Sequence, residues 1–188
     1  MASGRVGDAH AAARAHPSLH HTPLALTADH PNVARVRAYA AERGADLEVK
    51  RFAATTRTAA DAAREIGTEV ERIVKSLVFV ADGRPLIVLC SGDNRVSVRR
   101  LADILRAKSV RRATADEAKA HTGFPIGGVP PFAHSQALEV IADSALNRFQ
   151  TVWAAAGLPD AVFEIAVNDL VRLSGARFAT IAAVPGME

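Results

Sequence analysis

The sequence holds one cysteine, Cys90, so no disulfide can form within the chain. That fits a reducing cytoplasm. Cys90 closes the apolar run Leu86-Ile-Val-Leu-Cys90, and a thiol there is a small buried hydrophobe rather than an exposed nucleophile. No apolar stretch approaches the roughly 20 residues of a membrane span, and the opening residues lack the apolar core of a secretory signal. Gly-x-Ser-x-Gly, Gly-x-Gly-x-x-Gly and Gly-x-x-x-x-Gly-Lys-Ser/Thr are all missing, which sets aside the nucleophile elbow and both phosphate-binding glycine motifs. His16, His20 and His21 have helix-like metal spacing but no acidic or cysteine partner, so neither metal nor cofactor is expected. There is no internal repeat.

What is present is ordinary for a soluble globular protein: 188 residues, 49% hydrophobic, 23% charged and a formal net charge of +3. That length suits one domain with a sizeable core. Residues 1–29 show no sustained hydrophobic period and read as a flexible tail; residues 30–188 read as the domain. The basic residues are unevenly spread. Arg95, Arg99, Arg100, Arg106, Lys108, Arg111 and Arg112 stand against the single acid Asp103, a pattern that suits either RNA phosphates or a solvated helix face.

Along the domain, Pro31 suits a first helical turn and Gly44 a helix end, with Val33, Val36 and Ala40 at helical spacing. Residues 47–52 alternate as a strand. Thr58 and Asp61 resemble a capping box, and the helix they open ends at Gly67. Thr68 and Glu71 form another box, for a short turn of helix. Two apolar runs, 74–81 and 85–90, flank Asp82-Gly83 and predict a hairpin of central strands, with Arg84 able to lengthen the turn. Ser97 and Thr114 cap two more helices, 137–142 and 151–157 read as strands, and Pro159-Asp160 turns the chain into a strand over 162–166. Asn168 is placed as the cap of a helix over 169–174 closed by Gly175, and 177–182 forms the last strand. The order is mixed α and β, with adjacent hairpins rather than strict βαβ alternation.

Two features stand out chemically. Lys75 lies in a central strand on the same side as Leu77 and Phe79, where a charge is costly unless it meets an anion: a functional group or a structural ion pair. The stretch Gly123 to His134 holds three prolines and three glycines but also Phe124, Ile126, Val129 and Phe132, too apolar for a linker. It reads as a rigid packed loop, or as a pocket wall offering bare peptide N–H groups at Gly127 and Gly128. His134 is a pocket or a surface histidine, and 154–157 is a strand end of small residues.

Three motifs in this order, Ile73-Val-Lys75-Ser-Leu-Val-Phe, Gly127-Gly-Val-Pro-Pro131 and Val152-Trp-Ala-Ala-Ala-Gly157, resemble the YbaK family of aminoacyl-tRNA deacylases. The family includes the editing domain inserted in bacterial prolyl-tRNA synthetases, and the likeness runs from about Leu47 to Ala182 through Asp169-Leu and Leu173-Ser-Gly-Ala-Arg-Phe-Ala-Thr-Ile. The resemblance implies a single compact α/β domain with a central mixed, barrel-like sheet flanked by helices. It implies hydrolysis of the ester of a misacylated tRNA, tRNA(Pro) carrying a small wrong amino acid such as alanine or cysteine. Lys75 would lie near the phosphate of the terminal adenosine, and Gly127 and Gly128 with Pro131 would form the wall at the scissile carbonyl. His134, Ala155 and Gly157 would belong to the amino-acid pocket, and the basic run would meet the acceptor stem. The implied partners are aminoacyl-tRNA and a synthetase, not DNA or a membrane. A binding module that keeps the pocket without catalysis is the alternative. Many relatives have Ser-Ala-Gly followed by a basic residue where this chain has Ala155-Ala-Gly157-Leu-Pro-Asp160, and losing that hydroxyl bears on cysteine specificity.

Overall fold

The hairpin at Asp82-Gly83 anchors the architecture. β2 (Ile73–Ala81) and β3 (Arg84–Ser91) pair antiparallel from Val74↔Ser91 to Ala81↔Arg84. Asp82 and Gly83 both take positive φ, 46° and 79°, so the turn has two residues and Arg84 already belongs to the strand. The computed structural model describes residues 29–52 and 58–184. The expected tail, with His16, His20 and His21, falls almost wholly outside the described residues.

Around this hairpin the described residues build an eight-stranded mixed sheet in the order β1-β7-β6-β2-β3-β5-β8, with β4 also paired to β2. The other strands are β1 (Val49–Arg51), β4 (Val110–Arg112), β5 (Glu139–Asp143), β6 (Thr151–Ala155), β7 (Ala161–Ala166) and β8 (Arg177–Ala179). β2 and β3 are central, as their two-sided apolarity requires. The β2–β6, β3–β5 and β5–β8 pairs are parallel; the remaining pairs are antiparallel.

Among the described residues five helices cover the sheet: α1 (Pro31–Ala41), α2 (Ala59–Ile66), α3 (Val98–Leu105), α4 (Ala115–Thr122) and α5 (Val167–Ser174). Alternation along β2 and β3 sends Val74, Val78, Ile87 and Leu89 into a core with α1 and α5, and Phe79, Leu86 and Val88 into a second core under Leu101 of α3. Ile73 joins a third, smaller cluster with Trp153, Val162 and the α2 alanines.

The caps read from sequence at Thr58, Ser97 and Thr114 are present, two of them as complete capping boxes. Two others are corrected. The short turn Val70–Arg72 is a 3₁₀ helix preceded by Glu69 with no side-chain cap, so Thr68 does not open it. α5 begins at Val167 after Ala166, so Asn168 lies inside the first turn rather than before it. β7 leads straight into α5, and the Val167 N–H finds the Gln150 carbonyl instead of a cap.

Candidate active site

The sheet opens beside Lys75. β2 pairs with β6 only at Ile73↔Trp153 and Val74↔Ala154, and with β4 only from Phe79↔Arg112 onward. Between these contacts the edge of Lys75–Val78 borders a cavity of about 530 Å³, within the range of small-molecule sites. Facing it are Ile126, Gly127 and Val129 of the glycine/proline loop, Ala155 at the end of β6, and Pro159. Lys75 and Arg112 are the charged side chains on this lining among the described residues, and no carboxylate joins them.

Lys75 is half-buried and held by backbone. Its Nζ donates to the Gly92 carbonyl at 3.0 Å and to the Asn94 carbonyl. No described carboxylate pairs with it, so the structural ion pair is not what holds this lysine. An ammonium has three N–H groups, and two are engaged. Asn94 is fixed in turn: its Nδ2 donates to the buried Asp143 carboxylate at 2.7 Å. The neighbouring Cys90, paired with Lys75 across the ladder, places its Sγ 3.4 Å from the same Asn94 carbonyl. Burial pushes the Cys90 thiol up to about 11, with the Lys75 charge opposing in part, so it is a protonated core residue.

The loop is shaped by two glycines of different kinds. Gly127 has φ +84° and lines the cavity, with the Pro159 ring 3.6 Å from where a Cβ would stand. Its N–H has no partner among the described residues. Gly128 is buried, and a Cβ there would meet the Leu158 backbone at 2.7 Å. Its N–H donates to the Pro125 carbonyl at 3.0 Å, which corrects the expectation of a second bare amide. Loop composition cannot distinguish a glycine that exposes its amide from one that admits a neighbour.

Lys75, Gly127, Ala155 and Arg112 are thus brought together on one lining. Pro131, His134 and Gly157 do not share it. Gly157 abuts α1, where Asn32 Nδ2 donates to its carbonyl at 3.0 Å. His134 Nε2 lies 2.8 Å from the Pro130 carbonyl, and burial pushes the imidazolium below its ordinary value, so the neutral ring donates there. The basic run is divided. Arg100 donates to the Ala182 carbonyl, Arg111 forms a two-pronged pair with Glu117, and Arg106 caps α3 in a left-handed conformation. Arg95, Arg99 and Lys108 are exposed.

Sequence reasoning missed two residues. Ser76 lines the cavity, and its Oγ is the one buried side-chain polar atom without a partner among the described residues. Arg35 of α1 grips the loop from behind, with Nε and Nη2 on the Ala133 carbonyl and Nη2 also on Thr122. An arginine following Val33 and preceding Val36 was a signal for the second; nothing local marked the first. No cluster of three or more metal-ligating side chains occurs among the described residues. No described helix is long and apolar enough to cross a membrane.

Comparison with known proteins shows the family and the fold. The model of the aminoacyl-tRNA editing domain matches residues 53–173. An uncharacterised protein of Bacillus subtilis (strain 168), YwhH, is 31% identical over 140 residues, covering 74% of this chain and 88% of that one. The proline–tRNA ligase of Lactobacillus johnsonii is 37% identical over 98 residues, 52% of this chain but 17% of the ligase. The chain therefore spans under a fifth of that synthetase. A solved structure described as a proposed trans-editing enzyme for prolyl-tRNA synthetase superposes with a TM-score of 0.79 at 38% identity, covering 84% of this chain and all of the other.

Proposed function

The chain belongs to the aminoacyl-tRNA editing domain family, and from that premise we propose that it hydrolyses the ester of misacylated tRNA, tRNA(Pro) bearing a small wrong amino acid such as alanine or cysteine. The observation that carries this reading is the shared lining of Lys75 and Gly127: a cation and an unpaired amide beside one cavity with apolar walls.

An aminoacyl ester is already activated, so the protein need not supply a nucleophile. In this reading water attacks the ester carbonyl and a tetrahedral oxyanion forms. The Gly127 N–H donates to that oxygen, and a single such donor contributes about 3 kcal/mol in a water-poor site. The bond to the ribose oxygen then breaks, a proton reaches that oxygen, and free amino acid and tRNA leave. The neighbouring 2′-hydroxyl is placed to help carry the proton. Lys75 uses its remaining N–H on a phosphate oxygen of the terminal nucleotide, fixing geometry as a point charge. Arg112 adds a second cation on that side, and the exposed Arg95, Arg99 and Lys108 are the members of the run left for acceptor-stem phosphates.

Ala113, Ala154 and Ala155 on the lining suit a small uncharged side chain, and the hydroxyls that share the lining are those of Thr58 and Ser76. One observation favours a second reading, a module that binds the aminoacyl end without cleaving it: the engaged Gly128 amide leaves one of the two loop-glycine N–H groups, not both, for an oxyanion. A deacylation panel decides. With alanine, cysteine and proline each attached to tRNA(Pro), and alanine also on an unrelated tRNA, the expected result is fast loss of alanine or cysteine and slow loss of proline. Loss of every amino acid at the spontaneous rate would overturn hydrolysis and leave the binding reading.

A further inference from the structure

The open edge of β2 carries its own recognition pattern. Ala113 N–H donates to the Val78 carbonyl and Asp82 N–H donates to the Ser109 carbonyl, so the even-numbered residues of β2 turn their peptide groups toward β4. The β2–β3 register runs without a bulge, so the alternation extends back to Ser76. On that edge the parallel β2–β6 ladder stops at Val74↔Ala154, one step before Ala155 could receive the Ser76 N–H. The β4 ladder starts at Phe79↔Arg112, too late to engage the Ser76 pair or the Val78 N–H. The Ser76 N–H and C=O and the Val78 N–H therefore face the cavity without ladder partners among the described residues, in the order donor, acceptor, donor. The Ser76 hydroxyl, also unpartnered, sits on the same residue.

We propose that this gap is the subsite for the α-aminoacyl group, held as one residue of an added strand: its α-ammonium donates to the Ser76 carbonyl, and its ester carbonyl accepts from a flanking N–H of β2. The inference rests on the aminoacyl-tRNA reading above and deepens it. An α-amino acid is the smallest unit that carries a donor and an acceptor at the spacing of a strand pair. A deaminated acyl group has the acceptor alone and leaves the Ser76 carbonyl without its donor. Recognition by main chain ignores the side chain, so the subsite selects for amino acids as a class while the alanine-rich wall limits their size.

The test uses three non-hydrolysable adenosine conjugates with a 3′-amide in place of the ester, bearing alanyl, lactyl or propionyl groups. Their affinities are measured by calorimetry, and the amide resonances of Ser76 and Val78 are followed by NMR. The alanyl conjugate is expected to bind tightest and to shift both resonances. The propionyl conjugate, without a donor, is expected to bind at least about tenfold more weakly, with the neutral lactyl hydroxyl in between. Equal affinities, unmoved Ser76 and Val78 resonances, or no binding by any conjugate would each overturn the proposal. Turnover of alanyl-tRNA is measured beside it: amine-selective binding without turnover sinks the hydrolase reading alone, and turnover with equal affinities sinks this inference alone.

Discussion

Replacing Arg35 by alanine should loosen the loop that carries Gly127 without touching the cavity lining. The guanidinium makes three contacts to carbonyls of the loop and of the α4 end that enters it: Nε to Ala133 at 2.9 Å, Nη2 to Ala133 at 2.6 Å and Nη2 to Thr122 at 2.7 Å. It also stacks 4.0 Å above the Phe124 ring. Ala133 is held at φ 65°, a left-handed conformation that a residue with a Cβ adopts only under constraint. Hydrogen bonds to a charged donor are worth about 1.5–3 kcal/mol each, and a partly exposed cation–π contact about 1 kcal/mol. One guanidinium serves all of them, so they do not add, and about 3 kcal/mol is a fair total. For a chain of this size that lowers Tm by roughly 6–12 °C. Differential scanning calorimetry reads the shift, and hydrogen exchange across 122–134 should rise with it. Arg35→Lys should recover little, because an ammonium cannot fork between Ala133 and Thr122 while lying flat on Phe124. A Tm within about 2 °C of the parent in Arg35→Ala would refute the clamp.

The two loop glycines should separate cleanly. Gly128→Ala drives a Cβ to 2.7 Å from the Leu158 backbone and should cost about 2 kcal/mol or more in urea unfolding, whereas Gly127→Ala meets only van der Waals contact at 3.6 Å and pays for its φ alone, about 1 kcal/mol. Glu117 accepts from Arg111 and from the Thr114 N–H, which hold its carboxyl down from an ordinary 4.5 to about 2. A carboxylate with a depressed folded-state value stabilises at neutral pH, and that contribution is lost as pH falls from about 4.5 to about 2. The Tm gap between the parent and Glu117→Gln should therefore close over that window; a gap unchanged down to pH 2 would contradict the pairing.

Much of this arrangement was legible in the residues. Lys75 stood out because a charge in a two-sided apolar strand needs either a ligand's anion or a structural ion pair, and the structure gives it carbonyl ligands rather than a carboxylate. Asp82-Gly83 and the caps at Thr58, Ser97 and Thr114 were readable because each depends on contacts within a few residues. What escaped depends on distant partners. β4 is three residues long inside a basic run, and only its pairing with Phe79–Ala81 makes it a strand. Asn168 was misplaced as a cap because β7 passes directly into α5 and Gln150, far away in sequence, supplies the acceptor. Gly128 and Gly127 are neighbours with opposite jobs, decided by Leu158 and Pro159 thirty residues on. Ser76 becomes notable only once β6 has left β2 and β4 has not yet arrived.

The measurement that bears most directly on the site is single-turnover hydrolysis of mischarged tRNA by the parent, Lys75→Ala and Lys75→Gln. Glutamine can still donate to the Gly92 and Asn94 carbonyls, so it separates the charge from the scaffold, and near-parent Tm values establish that both variants fold. If Lys75 fixes the terminal nucleotide over Gly127, both variants should lose about 10²–10³ in rate, the scale of removing one preorganised donor. Folded variants that turn over within about threefold of the parent would show that the chemistry does not pass through this lysine.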